Sequence, residues 1–337
     1  MRIGVHVRHW DKVPHDVAAL AREAEACGLD SVWVSETWGS DAVVLATWIA
    51  AHTERIGIGT GVLQLPSRTP AATAMTAMTL DHLSGGRFRL GLGVSGPQVI
   101  EGWHGLSFDH PLERTREEVA IVRAALARRG PLTAPGPRYP LPFPGGSGRE
   151  LTMNVAPLRT DLPIYLAAMG PRNVALTAEI ADGWLPLLFS PEHAGVFATA
   201  LEEGRGRRAP SLPQLDVAPM VLTVIDDDVE AARDTVRKPI ALYVGAFGSR
   251  ATNFYKDVVS RYGFEREAAA IQEAMLGGRP SDAVAVVSDA LVDAVALIGP
   301  VARVRDRLDA FTDAGVTTLL AMTTDPFTIR ALADAAA

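Results

Sequence analysis

Arg55-Ile56-Gly57-Ile58-Gly59-Thr60-Gly61-Val62, then a helix-patterned segment from Pro70 to Leu83, then Arg87-Phe88-Arg89-Leu90-Gly91-Leu92-Gly93-Val94, follow one another in this chain. The two outer runs are rich in Val, Ile, Leu and Gly, as strands covered on both faces are. Pro70 suits a first helical turn, where the N–H it lacks would have no partner. Strand, helix and strand in this order read as a parallel pair joined by a crossover.

The same alternation extends in both directions. Ile3 to Val7 is a strand, Val17 to Cys27 a helix ending at Gly28, Ser31 to Ser35 a strand and Ala42 to His52 a helix. Downstream, the helix Leu112 to Ala127 carries Glu113, Glu117 and Glu118 towards its start and is followed by Arg128 and Arg129, the order that the helix dipole favours. The strand Pro163 to Ala168, the helix Asn173 to Ala181 and the strand Trp184 to Leu188 come next. A helix from Pro191 to Gly204, a strand from Asp216 to Val224, a helix from Val301 to Ala314 and a strand from Val316 to Met322 complete the series. Eight strands with helical sequence between them predict an α/β fold, a (β/α)8 TIM barrel built on residues 1–337 as one domain. An open doubly wound sheet is the alternative, and the eighth strand near the C-terminus favours closure. Two excursions interrupt the rhythm. Residues 130–162 hold Pro131, Pro135, Pro137, Pro140, Pro142 and Pro144 and read as a hairpin or loop over one mouth of the barrel; residues 228–298 read as mainly helical.

Composition narrows the function classes. The chain has 337 residues, 48% hydrophobic and 21% charged, enough apolar material for a large core. A net charge of -7, with no basic run interleaved with aromatics, argues against a nucleic-acid partner. No apolar stretch approaches the roughly 18 residues of a membrane span. Met1-Arg2-Ile3 leads straight into a strand and not into a signal peptide. Cys27 is the only cysteine, which rules out an intramolecular disulfide and a multi-cysteine zinc site, and the histidines show no metal-ligand spacing. A soluble, cytoplasmic protein acting on a small molecule without a metal is expected.

In such barrels the active site lies at the C-terminal ends of the strands. The groups emerging there are His9 and Trp10 after the first strand, Glu36, Thr37 and Trp38 after the second, and Gly61 and Val62 at the third. Ser95, Gly96 and Pro97 follow the fourth strand, and Ala168-Met169-Gly170-Pro171-Arg172-Asn173 the fifth. This last segment runs into a helix, so its N–H groups with Arg172 form a candidate phosphate site, though a plain helix cap reads the same way. Trp10, Trp38, Trp103 and Trp184 are candidates to stack on a ring, Trp38 foremost; Trp33 and Trp48 read as core. His9 and Glu36 are the candidates for proton handling. Against them stand a hydrogen-bonded strand-end histidine and a carboxylate paired with a barrel arginine. Gly91-Leu92-Gly93-Val94-Ser95-Gly96 looks like a dinucleotide fingerprint, but it lies at the fourth strand and precedes Pro97, so that reading is rejected.

Several stretches together resemble a known group. They are Asp30-Ser31-Val32-Trp33-Val34-Ser35-Glu36, Ile58-Gly59-Thr60-Gly61-Val62-Leu63-Gln64 with Pro66-Ser67-Arg68-Thr69-Pro70, the run from Leu83-Ser84-Gly85-Gly86-Arg87-Phe88 to Gln98, and Ala181-Asp182-Gly183-Trp184. They are similar to the bacterial luciferase-like superfamily, and Ser95-Gly96-Pro97-Gln98-Val99 with Glu101-Gly102-Trp103-His104-Gly105 resembles its coenzyme F420-dependent class. The resemblance implies a barrel with insertions, a cis peptide between Gly61 and Val62, and a homodimer. It places a deazaflavin ring near Glu36, Thr37, Trp38 and Ser95, and its tail phosphate on residues 168–173. It implies an oxidoreductase that passes a hydride between the deazaflavin C5 and a C=C, C=N or alcohol carbon of a small organic substrate. An FMN-dependent monooxygenase of the same fold and a non-catalytic cofactor-binding barrel are the alternatives. Thr37 stands where several luciferase-like enzymes have a histidine, which shifts any acid–base role to His9 or Glu36, or leaves the substrate to take its proton from water.

Overall fold

The computed structural model describes residues 1–7 and 15–336. Its strands are β1 (Arg2–Val7), β2 (Ser31–Val34), β3 (Gly57–Thr60), β4 (Leu63–Gln64), β5 (Phe88–Gly93), β6 (Ile164–Ala167), β7 (Gly183–Trp184), β8 (Asp216–Val217), β9 (Met220–Ile225), β10 (Ala296–Gly299) and β11 (Thr318–Met322). All of their pairings are parallel. From β1 the sheet passes through β2, β3, β5, β6 and β7 to β8, with Val5 opposite Val32, Val32 opposite Ile58 and Leu90 opposite Ile164. Residues 216–222 then close the ring: Val217 pairs with Trp184 on one side, and Met220 with Leu320 on the other. A bridge from Leu187 to Met220 strengthens the seam, and β11 returns to β1. The expected barrel is therefore closed.

Why these residues close a barrel is visible in its interior. Trp33 and Tyr165 are buried and meet edge to face, their ring centroids 5.0 Å apart. Room for them comes from glycine: a Cβ on Gly59 would lie 2.2 Å from the Trp33 ring, and one on Gly183 2.1 Å from Tyr165. Large rings opposite bare backbone fill the barrel as a packed core. Tyr165 donates its hydroxyl to Asp216 at 2.8 Å, and Asp216 also takes Arg2 at 2.6 Å, so the polar groups that ring packing buries are satisfied. Outside the ring, helices begin where the sequence caps them. Asp16, Asp41 and Thr69 accept backbone N–H groups at the starts of Val17–Ala26, Ala42–His52 and Pro70–Leu83.

Three features depart from the sequence reading. The proline-rich stretch does form a short antiparallel contact, Ala134 with Leu141, but it does not cover the mouth that holds the cavity. Its backbone N–H groups at Arg138 and Tyr139 are held by Glu117, and Arg159 clasps Asp81 at 2.7 Å and also the carbonyl of Phe88, where β5 begins. The stretch is a strap along the outside of the helices Pro70–Leu83 and Pro111–Ala127. The mouth is covered instead by the second excursion, through the helices Val229–Ala246 and Phe254–Val259. Trp48, read as core, is 54% exposed. The second excursion ends in β10, which pairs with the far half of β9, and a C-terminal helix, Pro326–Ala336, follows β11. Among the described residues no helix is long and apolar enough to cross a membrane.

Candidate active site

One cavity of about 610 Å³ opens at the C-terminal ends of the strands. Glu36, Thr37 and Trp38 from the loop after β2, Gly61 and Val62 between β3 and β4, and Ser95 and Gly96 after β5 line it. So does every residue from Ala168 to Asn173. Pro97 stands just beyond the lining, as the first residue of the short helix Pro97–Ile100. His9 and Trp10 lie outside the described residues. Of the other tryptophans proposed for stacking, Trp184 is buried behind the wall and Trp103 is exposed away from the cavity.

The peptide between Gly61 and Val62 is cis, as the resemblance implied. Its carbonyl oxygen accepts a hydrogen bond from His6 Nε2 at 2.9 Å, and Ser35 Oγ lies 3.3 Å from the same nitrogen. His6 is buried at the end of β1 and faces the cavity. Ser95 adopts a left-handed backbone (φ 61) directly after β5, a conformation that glycine tolerates better than serine. It turns the chain sharply at the cavity edge, with Gly96 next to it.

Glu36 is fully engaged. Arg68 grips it with both guanidinium arms, Nη1 to Oε2 at 2.9 Å and Nη2 to Oε1 at 2.8 Å, and the Gln64 N–H donates to Oε2 at 3.1 Å. Arg68 also reaches Asp41 at 2.8 Å. Burial works against the Arg68 charge, but hydrogen bonding and attraction from Glu36 and Asp41 outweigh it and raise its pKa. Gln64 extends the network: its amide donates to the Thr37 carbonyl at 2.8 Å and accepts His104 Nε2 at 2.8 Å. The network fixes the loop after β2 against β4, and it realises the paired-carboxylate alternative for Glu36.

The segment 168–173 is held from behind. Trp184 Nε1 donates to the Ala168 carbonyl at 2.8 Å, and Arg261 Nη2 to the Met169 carbonyl at 2.7 Å. Both carbonyls are thus spoken for. The helix Pro171–Ile180 that follows has no side-chain cap, so the N–H groups of its first turn remain for a ligand. Asn173 Oδ1 is buried there without a hydrogen-bond partner, and Arg172 stands beside it. Backbone donors and a cation at an uncapped helix start fit a phosphate-bearing cofactor.

His6, Tyr243, Phe247, Phe254 and Tyr255 also line the cavity and were not expected from the sequence; Gln64, at the mouth of the third strand, lines it too. His6 sits three residues before the histidine that strand-end reasoning selected. The four aromatics come from the second excursion, where no local motif marks them; only the cavity they line identifies them, with the Phe247 ring 5.5 Å from that of Trp38.

A family model for luciferase-like monooxygenases matches residues 2–318. A Mycobacterium tuberculosis protein with the provisional name coenzyme F420-dependent oxidoreductase is 42% identical to the chain, covering 99% of it and 98% of the relative. The 5,10-methylenetetrahydromethanopterin reductase of Methanolobus tindarius is 29% identical over 92% of the chain and 91% of the relative. Among solved structures, the coenzyme F420-dependent tetrahydromethanopterin reductase of Methanopyrus kandleri superposes with a TM-score of 0.83 at 25% identity, covering 99% of this chain and 98% of that one.

Proposed function

The chain belongs to the luciferase-like monooxygenase family, and from that premise we propose that it is a coenzyme F420-dependent oxidoreductase acting on a small organic substrate. The observation that carries this reading is a single cavity joining the Gly61–Val62 segment, the Ser95–Gly96 turn and the uncapped helix start at Gly170–Asn173. The relatives named for coenzyme F420 support the choice of cofactor.

When bound, a reduced deazaflavin supplies a hydride from C5, and the substrate takes a proton to complete a two-electron reduction. Arg172, Asn173 and the N–H groups at the start of the helix Pro171–Ile180 would hold the phosphate. Gly61, Val62, Ser95, Thr37 and Trp38 surround the ring. Glu36, locked to Arg68, shapes the ring pocket. His6 holds the Gly61 carbonyl in place, and His9 is the proposed acid. Walls of Met169, Val62 and the second-excursion aromatics keep water from the reacting carbon. Two further parts of the reading are a cytoplasmic location, suited to a lone cysteine, and a homodimer. The second rests on the helix Ala42–His52, apolar on all sides, which leaves Val44 and Trp48 exposed, as Met75 and Leu83 are on the helix packed against it.

The test is retention. Purified protein is incubated with coenzyme F420 or with FMN, desalted, and its absorbance recorded. Coenzyme F420 is expected to remain at one equivalent per chain and FMN to wash away. Retention of FMN alone would move the protein to the oxygen-using monooxygenases, and tight cofactor binding without turnover on any acceptor would leave a binding barrel.

A further inference from the structure

Two consecutive carbonyls of the segment 168–173 are drawn into the wall behind it, that of Ala168 by Trp184 Nε1 at 2.8 Å and that of Met169 by Arg261 Nη2 at 2.7 Å. Both peptides are trans, and in a trans peptide the C=O and the N–H point in opposite directions. Carbonyls aimed at donors outside the lining therefore aim the N–H groups of Met169 and Gly170 towards the cavity, which both residues line. A Cβ on Gly170 would meet nothing within 4 Å, so a ligand can come up to that backbone. These N–H groups precede those of Arg172 and Asn173 at the helix start, which gathers successive backbone donors at one end of the cavity.

The two side chains that hold these carbonyls are themselves locked together. The Arg261 guanidinium lies 5.2 Å from the centre of the Phe197 ring, and Phe197 meets Trp184 edge to face at 5.0 Å. Trp184, Phe197 and Arg261 thus form a row behind residues 168 and 169. Phe197 and Trp184 are buried, as are Val258, Val259 and Tyr262 on either side of Arg261. Arg261 comes from the turn Ser260–Phe264 of the second excursion, directly after the helix Phe254–Val259 that covers the mouth. It reaches a carbonyl 92 positions earlier in the chain. A charged donor on a carbonyl polarises the whole peptide and makes the N–H on its far side a better donor.

We propose that Arg261 is a positioning residue for the cofactor phosphate: through the Met169 carbonyl it sets the peptide that presents the Gly170 N–H to that phosphate. This rests on the oxidoreductase reading above and on its placement of the phosphate. The experiment is a fluorescence titration of the parent, Arg261→Met and Arg261→Lys with four ligands: coenzyme F420, its deazaflavin riboside without phosphate or tail, FMN and riboflavin. The parent is expected to hold coenzyme F420 about tenfold or more tighter than the riboside, the worth of one hydrogen bond to a charged group. Arg261→Met keeps the stem and removes the donor; it should weaken coenzyme F420 by about the same factor and leave the riboside unchanged. Arg261→Lys keeps a charged donor without the planar fork, so a smaller loss, again confined to coenzyme F420, is expected. An equal loss on the riboside, or no loss on coenzyme F420 in either variant, overturns the proposal. Should the methionine protein fail to fold, the lysine protein decides by the same comparison. A parent that takes FMN in place of coenzyme F420 overturns the cofactor reading, and the FMN and riboflavin affinities of the variants then decide this proposal. A parent that binds none of the four overturns both.

Discussion

The His6 imidazole occupies the space that a side chain on Gly61 would need: a Cβ there would stand 2.8 Å from His6 Cδ2 and 2.9 Å from Nε2. The same ring donates to the Gly61 carbonyl at 2.9 Å. The glycine and the histidine therefore define one another's position at the cavity floor. Gly61→Ala is expected to displace His6, lower stability by about 1 to 3 kcal/mol through overpacking, and weaken cofactor binding at least tenfold. Urea unfolding and a cofactor titration measure the two effects. An alanine variant with the parent's affinity would show that His6 has no part in shaping the pocket.

The Arg68–Glu36 pair separates a positioning carboxylate from a proton-transferring one. Glu36→Gln keeps the shape and one of the two arginine contacts, so turnover is expected to fall only a few fold, with an unchanged pH profile. A hundredfold loss with a missing limb in the pH profile would restore Glu36 as a proton carrier. Removing the partner is the harsher change. Arg68→Ala leaves a nearly buried carboxylate facing no cation, at a cost of about 3 kcal/mol. Thermal melts of the two variants should therefore rank Arg68→Ala well below Glu36→Gln.

Glu118 gives the fold a pH dependence remote from the cavity. Its carboxyl is buried between helices, donated to by Thr73 Oγ1 at 2.9 Å, and burial raises its pKa to about 8. An unfolded glutamate titrates near pH 4.3, so between that value and pH 8 the folded state binds the extra proton. The stabilisation is fully present below the unfolded pKa and is lost as pH rises through about 8. Glu118→Gln should match the parent near pH 4 and become the more stable of the two at pH 9, by a few kcal/mol. Parallel melting curves for the two proteins across this range would contradict the assignment.

The exposed apolar face on the helices Ala42–His52 and Pro70–Leu83 carries the homodimer proposal. Trp48 is its largest exposed side chain. Trp48→Glu places a charge where a partner's apolar surface would have to cover it. Light scattering after gel filtration is expected to find the parent at twice the chain mass and this variant at once. A monomeric parent ends the proposal.

Legibility differed sharply between scaffold and site. The strand–helix periodicity of residues 1–127 and 163–225 was readable because a fully covered parallel strand and its helix have distinct patterns over a few residues. The site segments at 36–38, 61–62, 95–96 and 168–173 were readable because strand ends in a barrel converge on one mouth. The coverage of that mouth was not. Proline and glycine in residues 130–162 announce irregular chain without saying where it lies, and it follows the outer helices because Glu117 and Asp81 hold it there. Trp48 misled for a related reason: an all-apolar helix looks the same whether the barrel or another chain covers its outer face.

The sequence by itself determined the barrel, its parallel order and the strand ends from which the site is built, since these follow from local hydrophobic pattern and chain connectivity. Only the tertiary structure decided that Glu36 is spent on Arg68, that His6 supports Gly61, and that Phe247 meets Trp38 at the mouth. Those pairings join residues from tens to about two hundred positions apart, and their energies depend on distance and burial, which exist only once the ring of strands has closed.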